Sequence, residues 1–174
     1  MLGSALALSG DVNGDGLADF VVGAEQAWGG GASAAGSAFV FSSVVLPLHA
    51  DTLIISAATG GRVDFSLDAG VAHAGHTYAI LGSMSGSWPG IRLGPALLPL
   101  NFDAYFLHVI RSFGLPIYQN FLGQLDSNGR ATAAFDTIAP FDPAVAGTQI
   151  WFAYLLVSPI SGFASNAFPV ELVP

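Results

Sequence analysis

The chain has 174 residues, of which 52% are hydrophobic and only 9% charged, against about a quarter charged in ordinary soluble domains. Twelve acids face four arginines and no lysine, giving a net charge of −8, which excludes the basic footprint that a nucleic-acid-binding protein needs. The absence of cysteine excludes disulfides, thiolate metal sites and cysteine nucleophiles together.

From the start of the chain, Met1 to Leu8 lacks a basic n-region and is too short for the apolar run of a secretory signal. No export signal is read there, so the expectation is a mature or truncated product, or export encoded elsewhere. Residues 1–43 are rich in Gly, Ala and Ser and carry one dense acidic motif, Asp11-Val12-Asn13-Gly14-Asp15-Gly16-Leu17-Ala18-Asp19. A hard cation such as Ca2+ takes about six to eight oxygen ligands, and alternate positions of a tight loop converge on one point. Asp11, Asn13, Asp15 and Asp19 would supply side-chain oxygens and Leu17 its carbonyl, with Gly16 allowing the sharp turn. Mg2+, which keeps an octahedral shell and several waters, suits the motif less well. A helix–loop–helix calcium hand or a dockerin loop needs an acid at the twelfth loop position; Val22 stands there, inside the strand-like Phe20-Val21-Val22.

The segment resembles the FG-GAP repeat, the blade unit of integrin α-chain β-propellers and of many bacterial surface proteins. Leu2-Gly3-Ser4-Ala5-Leu6-Ala7 stands for its Phe-Gly segment, the acidic loop follows, then Asp19-Phe20-Val21-Val22-Gly23-Ala24, and Gly36-Ser37-Ala38-Phe39-Val40-Phe41 closes the unit. Leu2 replaces the family's Phe and Glu25 its Pro. The resemblance implies an extracellular, calcium-stabilised blade of the kind found in adhesion and surface proteins. One such repeat is present, and a repeat unit does not bury its apolar faces alone. Its cover would be the rest of the chain, another copy, or a propeller missing from a truncated sequence.

Residues 52–174 read as strands separated by turns. Leu53–Ala57 comes first; Val63, Phe65 and Leu67 then alternate with Asp64, Ser66 and Asp68, a strand with one wet face. His76–Ser83 follows, with a weak Leu97–Leu100 strand after it. Asp103–Arg111 reads as a strand apolar on both faces. Leu122–Leu125 and Arg130–Asp136 flank the hairpin-type turn Asp126-Ser127-Asn128-Gly129. Gln149–Val157 is again apolar on both faces, and Phe168–Val173 closes the chain. The longest charge-free stretch, Pro143–Val170, has its continuous apolar core only at Ile150–Val157, short of the roughly 20 residues of a spanning helix. The expected fold is all-β, an antiparallel β-sandwich (jelly-roll-like) over 52–174 preceded by one FG-GAP-like blade over 1–43. Phe65, Leu107, Phe135, Phe152 and Leu172 should point inward.

Catalytic constellations are thin. Gly31-Ala32-Ser33-Ala34-Ala35 misses the last glycine of a nucleophile elbow. Asp64 and Asp68 share a strand face about 13 Å apart, beyond a glycosidase carboxylate pair; Asp103 or Asp136 could approach either of them. His73 and His76 have metal-ligand spacing, with His49 or His108 as a remote third ligand, although turn and strand histidines hydrogen-bonded to backbone are the plainer reading. Trp88, with Tyr78 or Tyr118, would make a sugar-stacking platform, or simply a turn with a packed indole. The sequence therefore reads as a non-enzymatic, extracellular or cell-surface Ca2+-binding structural protein whose partners are other copies of itself, in a filament or surface assembly. The alternative is the C-terminal adhesion or carbohydrate-binding module of a larger secreted protein.

Overall fold

The computed structural model describes residues 2–10, 19–24, 36–41, 46–137 and 143–174. The chain divides into two compact units, Met1–Val45 and Leu46–Pro174. The first holds an antiparallel three-stranded sheet of β1 (Leu2–Gly10), β2 (Asp19–Ala24) and β3 (Ser37–Phe41), in that order.

The second unit contains β4 (Leu48–Ala50), β5 (Ile54–Ser56), β6 (Gly61–Asp68), β7 (Thr77–Ser83), β8 (Ile91–Leu93), β9 (Ala96–Leu98), helix α1 (Ala104–Arg111), β10 (Tyr118–Gln119), β11 (Leu122–Gln124), β12 (Arg130–Thr137), β13 (Gln149–Ser158), β14 (Ile160–Ala164) and β15 (Phe168–Val173). One sheet has the order β10-β12-β6-β4; the other has β11-β7-β13-β15-β5, with β14 on β13. The alternation in β6 is realised: Val63, Phe65 and Leu67 are buried, while Asp64 and Ser66 are exposed. In register, Val63 faces Phe135 and Phe65 faces Ala133. From these two strands Phe65 and Phe135 reach Phe152 of the other sheet, at ring-centre distances of 5.3 and 5.2 Å, and Phe121 joins at 5.8 Å. The two sheets thus share one aromatic core.

The all-β expectation holds, with four corrections. Residues 104–111 form a helix, not a strand: the Asp103 carboxylate accepts the Phe106 N–H at 2.8 Å, an N-cap, and the buried residues are Phe106 and Val109, with Leu107 only half-buried. The Asp126–Gly129 turn does form, with Asp126 accepting the amides of Asn128 and Arg130. It joins strands of different sheets, however, β11 pairing with β7 and β12 with β6. β15 and β5 are parallel, Leu172 opposite Ile55, so the second sheet is not wholly antiparallel. The described strands of the second unit also outnumber those read from the sequence, several being only two or three residues long.

β13 is apolar on both faces because both are covered. Phe152 looks into the aromatic core, while Ala153 and Leu155 share the opposite face with their β7 partners Leu81 and Ala79. That face is flanked by Ile110 and Phe113 of the α1 region and Leu93 of the β8–β9 hairpin, leaving an apolar groove of about 420 Å³. Helix α1 also closes the core itself. Tyr105 approaches β7 so closely that a Cβ on Gly82 would stand 2.6 Å from its ring. The layer over this face of β7 and β13 is therefore supplied by the same chain.

Two outcomes follow from this packing. Phe152→Ala should lower the unfolding free energy by about 3–5 kcal/mol in urea titration, because four surrounding rings lose their common partner. Asp103 also straps the loop after β7, accepting the Met84 and Ser85 amides and the hydroxyls of Ser83 and Ser85. Burial pushes its carboxyl up, but these bonds and the Phe106 amide outweigh burial and hold it below the usual value. Its contribution is present above the unfolded pKa, near 4, and is lost as pH falls through the lower folded value. Asp103→Ala should cost about 1–2 kcal/mol at pH 7, and progressively less in acid, read from urea midpoints at several pH values.

Candidate functional sites

In the first unit the β1–β2 ladder runs from Leu2 opposite Ala24 to Gly10 opposite Asp19. The acidic segment 11–18 lies between these strand ends in sequence. Asp19 opens β2 and is fully buried. The other residues assigned to the cation, Asp11, Asn13, Asp15 and Leu17, lie outside the described residues. What the structure supplies is the frame: the ends of the acidic segment are held in strand register, with one carboxylate buried at its exit. An all-oxygen donor set with a buried carboxylate at its margin suits a hard dication.

The sheet beyond this frame is apolar on both sides. Leu6, Val22 and Phe39 lie in register across it, with Phe20 opposite Phe41 on the same face, their rings stacked at 5.2 Å. The reverse face carries Ala5, Ala7, Val21, Gly23, Ala38 and Val40. Leu6 is 73% exposed, and Phe20, Phe39, Val40 and Phe41 are exposed as well.

Residues 2–41 match the FG-GAP repeat family. No curated protein and no solved structure matches the chain. FG-GAP repeats are β-propeller-related units of extracellular, adhesion-type proteins, and in integrins they typically bind Ca2+. The match covers β1 to β3 and does not extend into the second unit. Among the described residues no helix is long and apolar enough to cross a membrane.

In that second unit the carboxylates singled out by sequence are engaged with arginines or backbone. Asp64 and Asp136 both bind Arg62, at 2.7 and 3.1 Å, and Asp68 binds Arg130 at 2.8 Å. Asp103 is the helix cap. The sugar platform does not form, because Tyr78 and Tyr118 are buried whereas Trp88 is 83% exposed. Trp88 is not packed into its turn either. His73 and His76 do come together, with ring centres 5.2 Å apart, but neither proposed third ligand joins them: His49 packs against Phe168 and His108 against Tyr105 and Tyr118. Nor are their side chains hydrogen-bonded to backbone through Nδ1, which in both rings is buried without a partner.

One feature had no sequence signal. A cleft of about 520 Å³ opens between β11 and β12, rimmed by Ser66, Asn120, Gln124, Asp126, Arg130 and Thr132. Its floor is Tyr78, whose hydroxyl donates to the Asn120 carbonyl at 2.9 Å. Gly123 permits this, since a Cβ there would stand 2.8 Å from that hydroxyl oxygen. The rim presents two side-chain amides, two hydroxyls, a carboxylate and a guanidinium.

The exposure of Trp88 is checked simply. Trp88→Phe should change the unfolding free energy by no more than about 0.5 kcal/mol while removing the water-exposed, acrylamide-quenchable part of the tryptophan emission.

Proposed function

We propose that this chain is an extracellular Ca2+-binding structural protein, without catalytic activity, that self-associates into a filament or surface assembly through its FG-GAP sheet. The observation that carries the reading is the sheet β1-β2-β3, apolar on both faces and exposed. Sheets of that composition are ordinarily covered on both sides. One face is bulky, with three Phe rings, and the other is small, with Ala, Gly and Val, so the bulky face of one copy suits the flat face of the next. Such a contact is heterologous and repeats head to tail unless the rotation closes.

In this reading Asp11, Asn13, Asp15, the Leu17 carbonyl and Asp19 hold Ca2+. The cation neutralises carboxylates that would otherwise repel one another and sets the segment between β1 and β2. Calorimetry should detect Ca2+ binding by the wild-type chain and its loss in Asp15→Ala. Light scattering or electron microscopy in millimolar Ca2+ should show large assemblies that chelator weakens. A monomer under both conditions overturns self-association; wild-type protein that binds no Ca2+ overturns the metal reading.

The cleft between β11 and β12 favours a second reading, an adhesion or carbohydrate-binding module of a larger secreted protein. Polyhydroxylated ligands need interspersed donors and acceptors of the kind that Asn120, Gln124, Arg130 and Thr132 present. Glycan-array binding that Gln124→Ala abolishes would establish it.

A further inference from the structure

The turn after β6 carries an arrangement that neither function uses. His73 ends a 3-10 turn, Val71–His73, and the His76 amide donates to the His73 carbonyl at 3.1 Å. With Ala74 at φ −53°, ψ 135° and Gly75 at φ +73°, this i to i+3 closure is a turn of type II geometry with the two histidines at its ends. The backbone is pinned independently: the His73 amide binds the Gly70 carbonyl, the Leu125 amide binds the His76 carbonyl, and the Gly75 amide binds the Leu125 carbonyl. The imidazoles are therefore positioned by main-chain bonds, not by their own.

Three buried side-chain polar atoms have no hydrogen-bond partner among the described residues: His73 Nδ1, His76 Nδ1 and the Tyr154 hydroxyl. All three belong to one aromatic cluster. His73 meets His76 at 5.2 Å and Phe163 at 5.1 Å, and Phe163 meets Tyr154 at 5.6 Å. The Asp68 amide lies near the Tyr154 hydroxyl but spends its bond on the Pro47 carbonyl at 2.8 Å. A buried polar group left unpaired is costly, so the Nδ1 atoms of two histidines in ring contact ask for a common partner.

We propose that His73 and His76 bind one transition-metal dication of the Zn2+ class through Nδ1. Two imidazoles on a single tetrahedral ion, with metal–nitrogen bonds of about 2.0–2.1 Å, have ring centres about 5 Å apart, which is the spacing observed. Imidazole donors select borderline metals such as Zn2+, Ni2+ and Cu2+ over Ca2+ and Mg2+, which take oxygen. No third His or carboxylate is grouped with the pair among the described residues, so the remaining positions fall to oxygen donors. The site is distinct from the acidic segment in both donor chemistry and location in the chain.

The test is calorimetric titration of Zn2+ into the full, untagged chain held in excess Ca2+. Wild type should bind one equivalent, lost in His73→Ala and in His76→Ala and retained in His49→Ala and Asp15→Ala. Co2+ loaded in place of Zn2+ should give the intense visible bands of a tetrahedral centre, a readout that needs only folded wild-type protein. Absence of Zn2+ binding, its persistence in both histidine variants, its loss in Asp15→Ala, or the weak spectrum of octahedral Co2+ would each overturn the site. In the first case a bridging water is the common partner instead.

Discussion

Phe152 is the point on which the second unit depends. It lies mid-strand in β13 and touches rings contributed by β6, β12, the β10–β11 connection and α1, through Phe65, Phe135, Phe121 and Tyr105. A ring in that position requires a small residue opposite it, and its β7 partner is Gly82. The same glycine admits Tyr105 and so decides where α1 rests. One aromatic contact thereby couples the spacing of the two sheets to the helix that closes them. Edge-to-face and tilted pairs add about 0.5–1.5 kcal/mol each beyond area burial, and a chain with 9% charged residues has little else with which to fix register.

The two units meet the same difficulty, strands apolar on both faces, in different ways. In the second unit β7 and β13 have the aromatic core on one side and α1 with the β8–β9 hairpin on the other. Its outer polar face, on the four-stranded sheet, is held by ion pairs: Arg62 with Asp64 and Asp136, and Arg130 with Asp68. These are exposed or half-exposed and contribute little to stability; their effect is to keep that face wet. The FG-GAP sheet has neither device. Asp19 is the one charged residue in its described strands, and it is buried at a strand end, not displayed on a face.

Much of this was legible where a pattern had one meaning. Period-two alternation placed β6, and unbroken apolar runs placed β7 and β13, because burial on one or two faces writes itself directly into composition. Residues 104–111 were misread because a short segment, apolar on nearly every side, has no decisive period. The available signal was Asp103, an N-cap residue immediately before the run. The Asp126–Gly129 turn was read correctly as a turn and wrongly as a hairpin, since turn chemistry fixes the reversal of the chain and not the sheet that each arm joins. Trp88 makes neither the platform nor the packed turn that its sequence context suggests, being 83% exposed. Spacing brings His73 and His76 forward, but the burial of both Nδ1 atoms without partners depends on tertiary packing, including Phe163 against His73, far away in sequence. The acidic motif was legible as chemistry from residue types alone, while the cleft rimmed by Asn120 and Arg130 exists only because β11 and β12 part company.

Charge links the proposed cation to the proposed assembly. Residues 1–45 contain Asp11, Asp15, Asp19 and Glu25 and no arginine, so the unit that would stack is uniformly acidic while its two sheet faces are neutral. In the proposed stacking, like charges on neighbouring copies would repel one another, over about 8 Å at physiological ionic strength. A dication held by Asp11, Asp15 and Asp19 removes two charges from the place where they are densest and adds no charge to either face. In the proposed assembly calcium would act on association twice, by setting the segment between β1 and β2 and by lowering the repulsion between neighbours. The apolar faces would supply attraction that salt screens little, so the acidic segment would make that attraction conditional on the ion.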